Sequence, residues 1–113
     1  MTAPALSPSA DQLDIARLRA SADQAQALLK TLANRDRLLL LCQLVAGERN
    51  VSELEASVGI QQPTLSQQLA VLRREGLVAT RREGKQIFYR IDSPEALAVL
   101  QTLYQLFCDE ASV

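Results

Sequence analysis

The spacing of apolar positions along this chain changes period twice, from helical to alternating and back. From Asp11 to about Leu32, apolar residues recur at helical spacing at Leu13, Ala16, Ala20, Ala27, Leu28 and Leu32, with helix-favouring alanines and glutamines between them. Asn34 is a helix cap, and a second helix is expected from Arg35 to Ala46. Its Leu38, Leu41, Cys42 and Val45 fall at i, i+3, i+4 and i+7, a core-facing stripe. Leu39 and Leu40 lie off that stripe, so this helix is expected to pack on more than one side before Gly47 ends it. Asn50 with Glu53 three residues on is a capping-box start for a third helix, through Leu54 to Val58, which Gly59 stops.

Ile60 and Gln61 then form a turn, and Pro63 sits in the first turn of a fourth helix whose buried stripe is Leu65, Leu69 and Leu72. After Gly76 the pattern becomes strand-like. Leu77 to Arg82 turns at Glu83-Gly84 and returns as Lys85 to Ile91, a hairpin in which glycine supplies the positive φ of a tight turn. Ser93-Pro94-Glu95 opens a last helix, from Pro94 to about Cys108 or Asp109, with Leu97, Leu100, Leu103, Tyr104, Phe107 and Cys108 along one side. The order α-α-α-α-β-β-α, mainly helical with a small β-hairpin, predicts a winged helix-turn-helix.

Charge gives that architecture a purpose. From Gln61 to Ile91 there are six basic and two acidic residues, a local +4 within a chain of net charge −1. Either a polar helix face or a charged hairpin alone would read as solvated surface; a basic module in an otherwise acidic chain is the footprint of phosphate binding. Gln62, Thr64, Ser66, Gln67 and Gln68 crowd the N-terminal half of the fourth helix, the end that meets base edges in the major groove. Arg73 on the same helix, and Arg81, Arg82 and Lys85 at the wing, complete the predicted DNA-binding set. A winged helix serving only as a protein-interaction module is the competing reading, and a steep salt dependence of DNA binding would exclude it.

With 113 residues and 48% hydrophobic content, one domain with one modest core is expected over 11–109, between a flexible arm at 1–10 and a tail at 110–113. A last helix this apolar, after the DNA module is complete, needs a surface to cover; the first and last helices are expected to pair with their copies in a two-fold homodimer. Folding back on their own core is the alternative. No apolar run has the length of a membrane span, and the first ten residues lack the basic-then-apolar order of a secretory signal, so a cytoplasmic location is expected. No histidine occurs, Cys42 and Cys108 are 66 positions apart, and no Gly-rich phosphate loop appears, which argues against an enzyme. Each cysteine taken singly reads as a small core residue.

Four separated segments carry a family resemblance over about Leu28 to Cys108: Leu29 to Leu38, Val51 to Leu54, Gln62 to Leu69, and Gly84 to Arg90. In this order they resemble the ArsR/SmtB repressors. The resemblance implies a dimeric repressor that sits on a palindromic operator and leaves when its inducer arrives. Most of that family senses metals, yet the helix from Ser52 to Val58, where arsenic and lead sensors place paired cysteines, has none. The last helix lacks the Asp and His ligands of the zinc sensors, and two cysteines without histidine would leave a transition metal under-coordinated, so no metal or other cofactor is expected.

The cysteine pair, with Gln86 to Arg90 and the Gln-Pro-Thr-Leu-Ser-Gln-Gln helix start, is similar to the persulfide-sensing BigR/YgaV/SqrR branch. That resemblance implies that Cys42 and Cys108 sense reactive sulfur species and that bridging them releases the operator. Response to another thiol oxidant is the alternative inducer class.

Overall fold

The computed structural model describes residues 14–108. The elements are α1 (Ile15–Leu32), α2 (Arg35–Val45), β1 (Arg49–Asn50), α3 (Val51–Val58), α4 (Thr64–Arg74), β2 (Val78–Glu83), β3 (Gln86–Ile91) and α5 (Pro94–Phe107). The expected arm at 1–10 and tail at 110–113 lie outside the described residues, as do 11–13 and 109. Contacts divide the chain into two compact units, 1–30 and 31–113, a division that falls within the expected 11–109 domain.

In the first unit α1 starts where Asp14 caps it, its carboxylate accepting from the Ala16 N–H at 2.9 Å and its carbonyl from the Leu18 N–H at 2.8 Å. Ile15, Leu18 and Leu29 are exposed apolar side chains on this helix.

The second unit is built around α2, which packs against α3, α4, β3 and α5. Asn34 caps it as expected, accepting from the Arg37 N–H at 3.0 Å. Its buried face is Leu40, Leu41 and Leu44, while Leu38 is half-buried and Cys42 and Val45 are exposed. The expected stripe was therefore rotated. Periodicity cannot choose a face on a helix that is apolar around most of its circumference, and the packing of three helices and a strand decides it. Leu32, Leu54, Ile60, Leu65, Leu69, Leu72, Leu77, Val78, Ala96 and Leu100 complete the core, each 8% exposed or less. A leucine buried this fully contributes about 1.5–3 kcal/mol.

Asn50 and Glu53 form the full reciprocal capping box of α3, with bonds of 2.8 Å each way. Pro63 follows a cis peptide bond and occupies the N-cap position of α4 instead of its first turn. At the far end of α4 the Leu77 N–H reaches the Leu72 carbonyl at 3.0 Å and the Gly76 N–H the Arg73 carbonyl at 3.1 Å. This closure requires φ of +79° at Gly76, which a side chain would strain.

β2 and β3 pair antiparallel from Val78↔Ile91 to Glu83↔Gln86. Strand pairing thus extends through Glu83, and the loop residues are Gly84 and Lys85, one step beyond the expected Glu83-Gly84 turn. The sheet also has a third strand that sequence reading did not anticipate, in the order β1-β3-β2, with Arg49↔Tyr89 and Asn50↔Phe88 as the register. A two-residue strand is too short to show alternation.

Ser93 caps α5 by accepting from the Ala96 N–H at 3.0 Å. The helix then divides along its length: Ala96 and Leu100 are buried, Leu97 and Leu103 half-buried, and Tyr104, Leu106, Phe107 and Cys108 exposed. No helix of the described residues is long and apolar enough to cross a membrane.

Candidate nucleic-acid interface and cysteine pair

The exposed face of α4 begins with a local tie. The Gln62 side-chain oxygen accepts from the Ser66 backbone N–H at 3.1 Å and from its hydroxyl at 2.6 Å. Gln62 thereby supplies the cap that Pro63 cannot. Ser66 and Gln67 are exposed and Thr64 is half-buried. Gln68 differs from its neighbours: it is half-buried, and its side-chain oxygen accepts from Arg37 Nη1 at 2.9 Å. The same guanidinium donates through Nε to the Thr31 carbonyl at 2.6 Å, so Arg37 ties the start of α2 to α4.

Arg73 is exposed and lines, with Ser66, Ala70, Arg74 and Tyr89, an open cleft between α4 and the wing. Arg35 shares a second concave surface with Gln62 and Thr64 on the other side of the helix start. Arg35, Arg74 and Tyr89 were not singled out in the sequence, because nothing local in it brings the first turn of α2 or the middle of β3 beside α4. A guanidinium on each side of an amide- and hydroxyl-bearing helix start is suited to phosphates flanking a read groove.

The wing arginines are not equivalent. Arg81 pairs across the sheet with Phe88 and Arg82 with Ile87, so they occupy opposite faces of the hairpin. Arg81 donates through Nε to both carboxylate oxygens of Glu48, at 2.8 and 2.9 Å, and lies 4.5 Å from the Phe88 ring centroid. The Arg81 hydrogen bond and charge hold the Glu48 carboxyl below the usual glutamate range. Arg82 and Lys85 are exposed, and neither has a salt bridge among the described residues.

Away from this surface, Cys42 and Cys108 are both free thiols open to solvent. Cys42 lines an apolar concavity with Ala33, Leu38 and Leu39. Partial shielding from water by these neighbours pushes its thiol pKa up, and the charge of Cys108 pushes it further in the same direction. The packing of α5 on α2 closes the long separation in sequence, and Cys108 stands at the end of α5 with its N–H on the Tyr104 carbonyl at 2.7 Å. Among the described residues no group of three or more Cys, Asp or Glu side chains is arranged to hold a metal ion.

Residues 34–80 match the bacterial regulatory protein, arsR family. The chain is 50% identical over 97 residues to a biofilm growth-associated repressor of Agrobacterium fabrum, covering 86% of this chain and 83% of that one. It is 40% identical over 96 residues to the transcriptional activator HlyU of Vibrio cholerae, covering 85% and 89%. The crystal structure of the transcriptional repressor BigR from Xylella fastidiosa superposes with a TM-score of 0.78 at 48% identity, over 87% of this chain and all of that one. With its helix-turn-helix and wing built as described, this chain belongs to the ArsR family of winged helix-turn-helix transcriptional regulators, which are not enzymes.

Proposed function

We propose that this regulator is a homodimeric repressor of a palindromic operator, and that it releases the DNA when reactive sulfur bridges Cys42 to Cys108. The observation that supports the switch is that Cys42 and Cys108 are both exposed free thiols, one on α2 and one at the end of α5, two helices that pack together. One thiolate attacks the outer sulfur of a persulfide such as glutathione persulfide, gaining that sulfur and expelling glutathione thiolate. The other thiolate attacks the inner sulfur of the new protein persulfide, forming a disulfide and expelling hydrosulfide. The sulfane sulfur is the oxidant and leaves reduced. If both cysteines carry persulfides, their condensation with loss of hydrogen sulfide gives a trisulfide, which spans more than the roughly 4.4–6.8 Å between Cα atoms that a disulfide allows.

Binding to DNA uses α4 with Thr64, Ser66 and Gln67 toward base edges, Arg73 on the helix, and Arg82 and Lys85 on the wing. The exposed Tyr104, Leu106 and Phe107 support dimerisation through α5, together with the apolar positions of α1. A bridge from α2 to α5 would then act on the dimer seam, and thereby on the spacing of two recognition helices about 34 Å apart. Repression is favoured by the relatives named as repressors, whereas HlyU is named an activator; transcription in vitro from the bound promoter decides the sign.

Operator binding before and after glutathione persulfide, with intact mass on the same samples, tests the switch. Release should coincide with a Cys42–Cys108 bridge and reverse with dithiothreitol, and Cys42→Ser or Cys108→Ser should bind yet fail to release. Undiminished binding by the bridged protein would end this reading. A parallel arm with hydrogen peroxide tests the other oxidant class.

A further inference from the structure

We propose that Arg81 is a positioning residue that seats the wing on the helix-turn-helix, and that the phosphate contacts of the wing come from Arg82 and Lys85. The inference rests on DNA binding by this surface and is independent of the cysteine switch. Adjacent arginines in a basic hairpin read alike in sequence, but β pleating sends them to opposite faces.

The Arg81 guanidinium is already occupied. Its Nε bonds both Glu48 oxygens, its Nη2 lies 2.8 Å from Glu48 Oε1, and its Nη1 lies 3.5 Å from Glu83 Oε2, while its planar face rests on Phe88. An exposed ion pair alone contributes little. Here it is one of several ties to the same short connection between α2 and α3. Glu48 is followed by Arg49 and Asn50, which form β1 and pair with Tyr89 and Phe88 of the hairpin. Asn50 caps α3 and also donates from Nδ2 to Gln86 Oε1 at 3.2 Å.

The connection that starts the first helix of the DNA-binding pair thus also holds the wing along its length. Tilting the wing against α3 would break strand pairing, the Asn50–Gln86 bond and the Glu48–Arg81 fork together. Arg81 could reach a phosphate only by leaving Glu48, which would strand a carboxylate next to the DNA polyanion. Arg82 and Lys85 pay no such penalty.

The test uses a duplex selected from a random-sequence library by the wild-type dimer, titrated by fluorescence anisotropy across a salt series. Arg82→Ala and Lys85→Ala should each flatten the slope of log affinity against log salt by about 0.9, the loss of one phosphate contact. Arg81→Ala should weaken binding about tenfold at every salt concentration with the slope kept, about 1.4 kcal/mol. The net-charge-neutral swap Glu48→Arg with Arg81→Glu should recover most of that loss, because the fork is rebuilt in reverse. Thermal unfolding of each variant separates a misplaced wing from a lost fold.

If Arg81→Ala flattens the slope as Arg82→Ala does and the swap binds no better than the single variant, Arg81 is a phosphate contact and the proposal is wrong. If the wild-type protein selects no duplex, DNA binding itself fails and this inference falls with it.

Discussion

The DNA-binding module and the outer half of α5 are opposite kinds of structure within one chain. From α3 to β3 the helix starts are capped, the leucine stripe of α4 is 1% exposed or less, and the wing is tied to the connection before α3. This module is finished within the chain, with α2 as the element it packs on. Beyond Leu103, α5 continues for another turn with Tyr104, Leu106 and Phe107 in solvent, at 56%, 68% and 79% exposure. Large apolar side chains grouped in solvent at one helix end mark a surface suited to a partner, and a second copy offers the same one. The contrast teaches that the reading module is packed within the chain, whereas the outer half of α5 leaves an apolar face that a second copy would cover.

The largest expected effect breaks the finished side. Leu69→Ala removes a buried side chain between α4 and the core and should cost about 2–5 kcal/mol by chemical denaturation, with DNA binding lost in parallel. The matching change on the unfinished side, Phe107→Ala, should leave unfolding of a diluted monomer nearly untouched but weaken self-association by about thirtyfold, since a well-packed aromatic anchor is worth about 2 kcal/mol in an interface. Sedimentation equilibrium reads the second effect. Equal losses of monomer stability in both variants would mean that the outer half of α5 also folds against its own chain.

Asn50→Ala sharpens the same contrast on a smaller scale. It removes the α3 cap, worth about 1 kcal/mol, and also the Gln86 bond that joins helix to wing. Hydrogen exchange should therefore rise at the first turn of α3 and in β3 together. A rise confined to α3 would show that the wing does not depend on this tie.

Legibility in the sequence followed the same division. The caps at Asn34, Asn50 and Ser93 and the stripe Leu65, Leu69, Leu72 could be read directly, because each is a local pattern with one structural solution. The buried face of α2 could not, since Leu38 to Leu41 offer apolar groups in every direction and only the arriving α3, α4 and α5 select among them. The same limit hid β1, whose two residues acquire strand character only from β3. At the candidate DNA surface, residue type identified the helix and wing, but the different partners of Arg81 and Arg82, and of Gln67 and Gln68, come from contacts with Glu48 and Arg37 in distant segments. The proximity of the helices that carry Cys42 and Cys108, α2 and α5, likewise arises from packing and from no spacing rule.

The smallest expected effect probes that proximity without any oxidant. Burial is the larger cause of the raised Cys42 pKa, and the Cys108 charge is the smaller one. Because a neighbouring thiolate repels a second negative charge, charge at Cys108 makes ionisation of Cys42 harder. In Cys108→Ser that repulsion is gone while the apolar surroundings remain. The rate of Cys42 alkylation by iodoacetamide, followed by mass against pH, should then trace a single step whose midpoint lies below the wild-type value and still above that of an unperturbed cysteine. At any fixed pH below that midpoint the variant should react faster, since only the thiolate is the nucleophile. Replacing Cys108 by serine with no change in the profile would mean that its charge does not reach Cys42, and a bridge between them would then need a movement of α5 that the resting chain does not show.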